Sequence, residues 1–76
     1  MKNRHVKRAT YRLGANLEGL RWERGWSQEV LSARAGISRV TISEIECCKV
    51  NPQWSTLVAL AAALGVKVED LVGEES

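Results

Sequence analysis

A chain of 76 residues, 45% hydrophobic and with a formal charge of +2, describes one small globular domain and excludes a disordered segment. No apolar run approaches the ~18–20 residues that a membrane span requires. The basic start at residues 1–10 leads into no apolar segment of the secretory kind, so a cytoplasmic protein is expected. The charge is uneven: residues 1–34 carry eight Lys or Arg against three acids, whereas residues 35–76 carry three against six. A basic first half suits a polyanionic partner.

Residues 1–9 lack apolar periodicity and read as a flexible basic arm. From Tyr11 to Arg24, Leu13, Leu17 and Leu20 recur at spacings of four and three, which predicts a first helix. Gly25 stops it, in the position where glycine accepts a left-handed backbone. Ser27 then caps a second helix, Gln28–Ala35, with Glu29 in its first turn. Gly36 closes that helix and Ser38 caps a third, Arg39–Glu46, which points Ile42 and Ile45 inward. Its β-branched run Val40-Thr41-Ile42 forms helix poorly, so packing must hold it. Residues 47–53 form a loop ending in Asn51-Pro52. A fourth helix, Trp54–Leu64, presents Leu57, Leu60, Ala61 and Leu64 on one face and ends at Gly65. A short fifth helix, Val68–Val72, lids the core. The expected organisation is all-α: the arm at 1–9, a five-helix domain at 10–72 and an acidic tail at 73–76.

Two eight-residue helices joined by Gly36-Ile37-Ser38 cannot lie antiparallel. They must cross steeply, at roughly 90–120°, as a helix-turn-helix does. The apolar positions of that unit are Leu31, Ala35, Ile37, Ile42 and Ile45, with Ser32 and Gly36 small where the chain turns. A plain helical corner would satisfy the same apolar positions, but it leaves the polar outer surface of the third helix without a purpose.

The stretch from Leu13 to Val72 resembles the Cro/lambda-repressor-like (XRE-type) helix-turn-helix family. The resemblance is carried by Leu20-Arg21, Gly25-Trp26-Ser27-Gln28-Glu29, Leu31, Ala35-Gly36-Ile37-Ser38, Ile42-Ser43, Ile45-Glu46, Lys49, Asn51-Pro52, Leu57, Leu60-Ala61, Ala63-Leu64-Gly65-Val66 and Leu71. It implies a five-helix lambda-repressor-like domain whose third helix enters the major groove of double-stranded DNA. Arg39, Val40, Ser43 and Glu44 match base-facing positions: arginine grips guanine, valine packs on a thymine methyl and glutamate accepts from cytosine. Gln28, Ser38, Lys49 and Asn51 match phosphate-holding positions, and Thr41, grouped with them, and Ser43, grouped with the base-facing residues, are neighbours that reach either backbone or bases. Glu44 is either a base contact or the partner of an arginine, and Ser38 is a cap with or without a phosphate. Arg21 and Glu46 resemble a buried structural ion pair.

Trp26 and Trp54 stand where the family has leucine and are expected in the core. Trp22 lies off the apolar stripe and is either half-exposed or a contact for a partner chain. The family commonly has glycine where this chain has Cys48, which implies a left-handed backbone there. A bridge between neighbours Cys47 and Cys48 would be strained, and His5 is the sole histidine, so two reduced thiols, no metal and no cofactor are expected.

The function implied is a sequence-specific transcriptional regulator, bound as a homodimer to a palindromic operator with half-sites about 34 Å apart. The alternatives are a protein-interaction module of the same fold, such as an antitoxin holding a toxin or an anti-repressor, and a thiol-responsive regulator. No nucleophile–base pair, carboxylate pair or metal cluster marks an enzyme.

Overall fold

The computed structural model describes residues 4–73, with side chains from Arg12 onward. Its five helices are α1 (Arg4–Glu23), α2 (Gln28–Ala35), α3 (Arg39–Glu46), α4 (Trp54–Leu64) and α5 (Val68–Val72). This is the all-α, five-helix domain expected. The bounds of α2 to α5 are those predicted, because each helix carries its own stop and start signals.

Ser27 and Ser38 adopt extended backbone, and their Oγ atoms accept hydrogen bonds from the amides of Val30 (3.1 Å) and Thr41 (3.0 Å). Each cap satisfies an amide that the first helical turn leaves without a partner, worth ~1 kcal/mol. Past α1, α2 and α4, Gly25, Gly36 and Gly65 take φ values of 68°, 72° and 74°. The amides of Gly65 and Val66 turn back onto the carbonyls of Ala62 and Ala61, a Schellman ending that an L-residue reaches only with strain.

α1 departs from expectation at its start. Its helical backbone begins at Arg4, so residues 4–9, read as part of a flexible arm, continue the helix instead. Neither glycine nor proline interrupts this stretch, and its Lys, Arg and Ala favour helix. Residues 1–3, and residues 74–76 of the acidic tail, lie outside the described residues.

α1 packs on α3 and α5, α2 on α3 and α4, and α4 on α5. Leu17, Leu31, Ile42, Ile45, Leu60 and Leu71 are fully buried, so every helix contributes at least one side chain to a single core. Each such side chain contributes ~1.5–3 kcal/mol by leaving water. Polar ties hold the rim. Arg24 donates to the carbonyls of Leu20 (2.9 Å) and Leu64 (2.6 Å), tying the end of α1 to the end of α4. Asn16 Nδ2 donates to Leu71 O at 3.0 Å and Arg12 to Gly73 O at 3.0 Å, so α1 also holds the end of α5.

The tryptophans divide. Trp26 packs against the core with the Arg34 guanidinium 4.5 Å above its ring. Trp22 is 65% exposed. Trp54, expected in the core, is 67% exposed, and that expectation is corrected. It is the first residue of α4, one turn ahead of Leu57, where the stripe has already run past the rim of the core. Its indole instead lines an open groove of about 270 Å³ with Val68, Glu69 and Val72.

Candidate nucleic-acid interface

α2 and α3 meet through a short turn, residues 36–38. Gly36 supplies the left-handed step, and Ser32 Oγ reaches across to donate to Ile37 O at 2.6 Å, fixing the approach of the two helices. Ser32 is thus more than a small residue where the chain turns: its hydroxyl is the clasp of the turn. With Ile42 and Ile45 buried, the opposite side of α3 must face outward, and Arg39 and Val40 are exposed there, Val40 at 57%. Thr41, Ser43 and Glu44 are half-buried beside them. The arginine partner that was an alternative role for Glu44 is absent from the ion pairs of the described residues.

The start of α3 is crowded with donors. Ser38 Oγ, while accepting from the amide of Thr41, donates to Thr41 Oγ1 at 3.0 Å. Both hydroxyls are exposed enough to meet an anion, and the N-terminus of a helix favours one. Gln28, at the start of α2, sits between α2 and α3 and holds both ends of the latter. Its Nε2 donates to Glu46 Oε1 at 3.0 Å, and its Oε1 accepts from the guanidinium of Arg39 at 3.3 Å. Glu29 lies 3.8 Å from Arg39 Nε on the solvent side, a pair worth ~0–1 kcal/mol.

The expected Arg21–Glu46 pair is present. Arg21 Nε and one terminal nitrogen donate to the two carboxylate oxygens at 2.8 and 3.0 Å, and its other terminal nitrogen donates to Trp26 O at 2.8 Å. The two side chains are 8% and 6% exposed. The hydrogen bond to Glu46 holds the Arg21 guanidinium above its ordinary pKa, against burial, so Arg21 stays charged.

The far end of α3 is the irregular one. Cys48 has φ 61°, the left-handed backbone that the resemblance implied, and it is the one non-glycine residue with positive φ among the described residues. Its amide donates to Ile45 O (3.0 Å) and that of Lys49 to Glu44 O (2.9 Å), the Schellman pair again, here with a side chain where glycine is usual. Lys49 and Asn51, both exposed, follow directly.

A residue that the periodicity did not single out supports this end. Gly14 of α1 is buried against α3, and a Cβ on it would lie 2.7 Å from Ile45 O, 2.9 Å from Glu46 O and 3.0 Å from Cys48 Sγ. The available signal was a glycine inside a helical pattern, which weakens the helix unless a neighbour needs the room.

Two short helices packed together and clasped by a small-residue turn, with one polar outward face, define the motif, and a family model described as "Helix-turn-helix domain" matches residues 12–72. The chain belongs to the helix-turn-helix domain family. It is 41% identical over 64 residues to the immunity repressor protein of Bacillus phage phi105, covering 84% of this chain and 44% of that one. An uncharacterised helix-turn-helix-type transcriptional regulator, y4dJ of Sinorhizobium fredii, is 43% identical over 60 residues, 79% of this chain and 78% of the relative. The chain thus spans less than half the length of the phage repressor and most of the second relative. Among solved structures, the restriction-modification controller protein C.AhdI from Aeromonas hydrophila superposes with a TM-score of 0.79 at 29% identity, covering 82% of this chain and 94% of that one. The hypothetical transcription factor NHTF from Neisseria gives 0.79 at 35% identity, covering 83% and 72%. The domain is therefore a DNA-binding helix-turn-helix of the transcription-regulator class, with α2 and α3 as its two helices.

Proposed function

We propose that this helix-turn-helix protein is a sequence-specific transcriptional regulator that binds a palindromic operator as a homodimer, with α3 in the major groove. The observation that carries the reading is the outward face of α3, where Arg39 and Val40 stand exposed beside the hydroxyls of Ser38 and Thr41. Arg39 reads a base edge first, Val40 second, with Ser43 and Glu44 completing the face. Gln28, Ser38, Thr41, Lys49 and Asn51 hold phosphates on either side. The protein acts by binding rather than catalysis, and its place of action is the cytoplasm.

One recognition helix covers a few base pairs, so useful specificity needs two. The groove beside Trp54 supports a second copy of the chain as the partner. Trp54 is an exposed apolar side chain of α4, and Val68 and Val72, with Glu69 beside them, carry the surface onto α5. An equilibrium of this kind makes DNA occupancy depend steeply on protein concentration.

The test is selection of oligonucleotides from a random pool with the purified protein. A two-fold symmetric motif is expected, with binding that weakens steeply as salt rises. A pool with no enriched motif would overturn sequence specificity, and a single unpaired half-site would overturn the dimer.

A further inference from the structure

The adjacent thiols at the end of α3 take no part in the reading above, and their placement is unusual. Cys48 occupies the left-handed position of a Schellman turn, so its backbone is strained where glycine would not be. Its sulfur is half-buried in the seam between α1 and α3, 3.9 Å from Glu46 O and against Gly14, where not even a methyl would fit. Cys47, one residue earlier, is exposed. Both are free thiols. Solvent therefore reaches one sulfur, while its neighbour wedges the last turn of the recognition helix in place. The next residues, Lys49 and Asn51, are the proposed phosphate holders.

We propose that Cys47 and Cys48 form a peroxide-responsive dithiol, whose reversible bridging releases the end of α3 and weakens the grip on DNA. Cys47 is the accessible thiol. Its sulfur attacks one oxygen of hydrogen peroxide, the O–O bond breaks, Cys47 becomes a sulfenic acid and water leaves. Cys48 is the resolving thiol. Its sulfur attacks the sulfenic sulfur, the S–S bond forms, the S–O bond breaks, and the departing hydroxide takes the thiol proton as a second water. The cysteines together lose two electrons and two hydrogens, and peroxide is reduced to two waters.

The bridge closes an eight-membered ring between neighbours whose Cα atoms are about 3.8 Å apart, short of the ~4.4–6.8 Å that an ordinary disulfide spans. It is consequently strained and easily reduced by a dithiol, which suits a switch rather than a structural bond. Bridging also draws Cys48 Sγ out of the seam toward Cys47. The turn that returns the amides of Cys48 and Lys49 to α3 then opens, and the chain at residues 49–51 shifts. The effect on DNA rests on the phosphate role proposed above; the thiol chemistry and the opening of the turn do not.

The full chain is treated with hydrogen peroxide and followed by intact mass, by hydrogen exchange at the amides of Cys48 and Lys49, and by binding to its selected DNA. Expected are loss of two hydrogens within one chain, faster exchange at both amides, and affinity lowered about tenfold, ~1.4 kcal/mol, all restored by dithiothreitol. Cys47→Ser and Cys48→Ser should each bind DNA when reduced and keep that affinity at low peroxide: the first retains only the half-buried thiol, and the second stops at oxidation of Cys47 without a bridge. Cys48→Gly, which removes the resolving thiol and relieves the backbone, guards against a Ser variant that folds poorly and should also form no bridge and keep its DNA affinity. Oxidation that stops at Cys47, or that links two chains, overturns the proposal. So does an internal bridge that leaves amide exchange unchanged. If the bridge forms and the turn opens while DNA binding is unaffected, the phosphate role of residues 49–51 fails and the dithiol chemistry stands.

Discussion

Placing the same methyl group at two positions of α1, by Gly14→Ala and by Gly19→Ala, should move stability in opposite directions. Within a helix, alanine is favoured over glycine by ~0.8–1 kcal/mol, and this gain applies at both sites. Around Gly19 nothing lies within 4 Å of the added Cβ, so the gain stands alone. At Gly14 the methyl would meet Ile45 O at 2.7 Å and Glu46 O at 2.9 Å. Those are main-chain atoms of α3 and cannot rotate aside; α1 and α3 must separate, and overpacking of this kind costs ~1–3 kcal/mol or more. With two main-chain atoms met under 3.0 Å the cost falls at the upper end of that range, so the expected net is a loss of ~2 kcal/mol for Gly14→Ala and a gain of ~1 kcal/mol for Gly19→Ala. For a domain of 60–100 residues each kcal/mol moves the melting temperature by about 4–8 °C, so circular dichroism melts should separate the two variants widely. Adding Cys48→Gly to Gly14→Ala should not restore the melting temperature, because the carbonyl contacts remain. A Gly14→Ala protein as stable as the parent would refute the close approach of α1 to the end of α3.

Glu46→Ala should be among the most damaging single changes, lowering unfolding free energy by ~3–5 kcal/mol in urea, since it leaves Arg21 charged and nearly buried without its partner; a loss below ~1 kcal/mol would mean the pair is open to water. Arg39→Ala should cost ~1–3 kcal/mol of DNA affinity and relax preference at one base position. Lys49→Ala should instead weaken all sites evenly and reduce the salt slope by about 1, so equal behaviour of the two in titrations at several salt concentrations would reject the division into base and phosphate contacts. Trp54→Glu, at an exposed site of α4, should leave the melt nearly unchanged and convert dimer to monomer in sedimentation; an unaltered mass would move the dimer elsewhere.

Much of the fold could be read because its punctuation is local. Ser27 and Ser38 cap helices, and Gly25, Gly36 and Gly65 end them, through hydrogen bonds that span a handful of residues. What escaped depends on distant partners or on absent punctuation. Nothing before Tyr11 marks a helix start, so the extension of α1 back to Arg4 had no signal beyond the lack of a breaker. The exposure of Trp54 depends on where the core's rim falls relative to the first turn of α4. Gly14 matters because of three atoms more than thirty residues away. At the site, the left-handed backbone of Cys48 and the Arg21–Glu46 pair were legible only through the resemblance; spacing alone distinguishes neither from an ordinary loop residue and two surface charges.

One line of hydrogen bonds joins the core to the reading face, and its order explains why Gln28 is a glutamine. Arg21 and Glu46 are nearly buried, Gln28 is half-buried and Arg39 is exposed, so the line runs outward along α3 from its last residue to its first. Glu46 can only accept and Arg39 can only donate. The group between them must therefore donate on one side and accept on the other, and the primary amide does both in one orientation only, with Nε2 toward Glu46 and Oε1 toward Arg39. A glutamate at 28 would repel Glu46, and a lysine would repel Arg39. The amide also has a donor to spare: Nε2 carries two hydrogens and Glu46 takes one, so the phosphate contact proposed for Gln28 would not break the brace. The 3.3 Å contact to Arg39 and its 3.8 Å pair with Glu29 are long and solvent-facing, weak enough to yield when a base edge offers the guanidinium two good acceptors. Arg39 is thus aimed by the core rather than locked by it, as its proposed role in the groove requires.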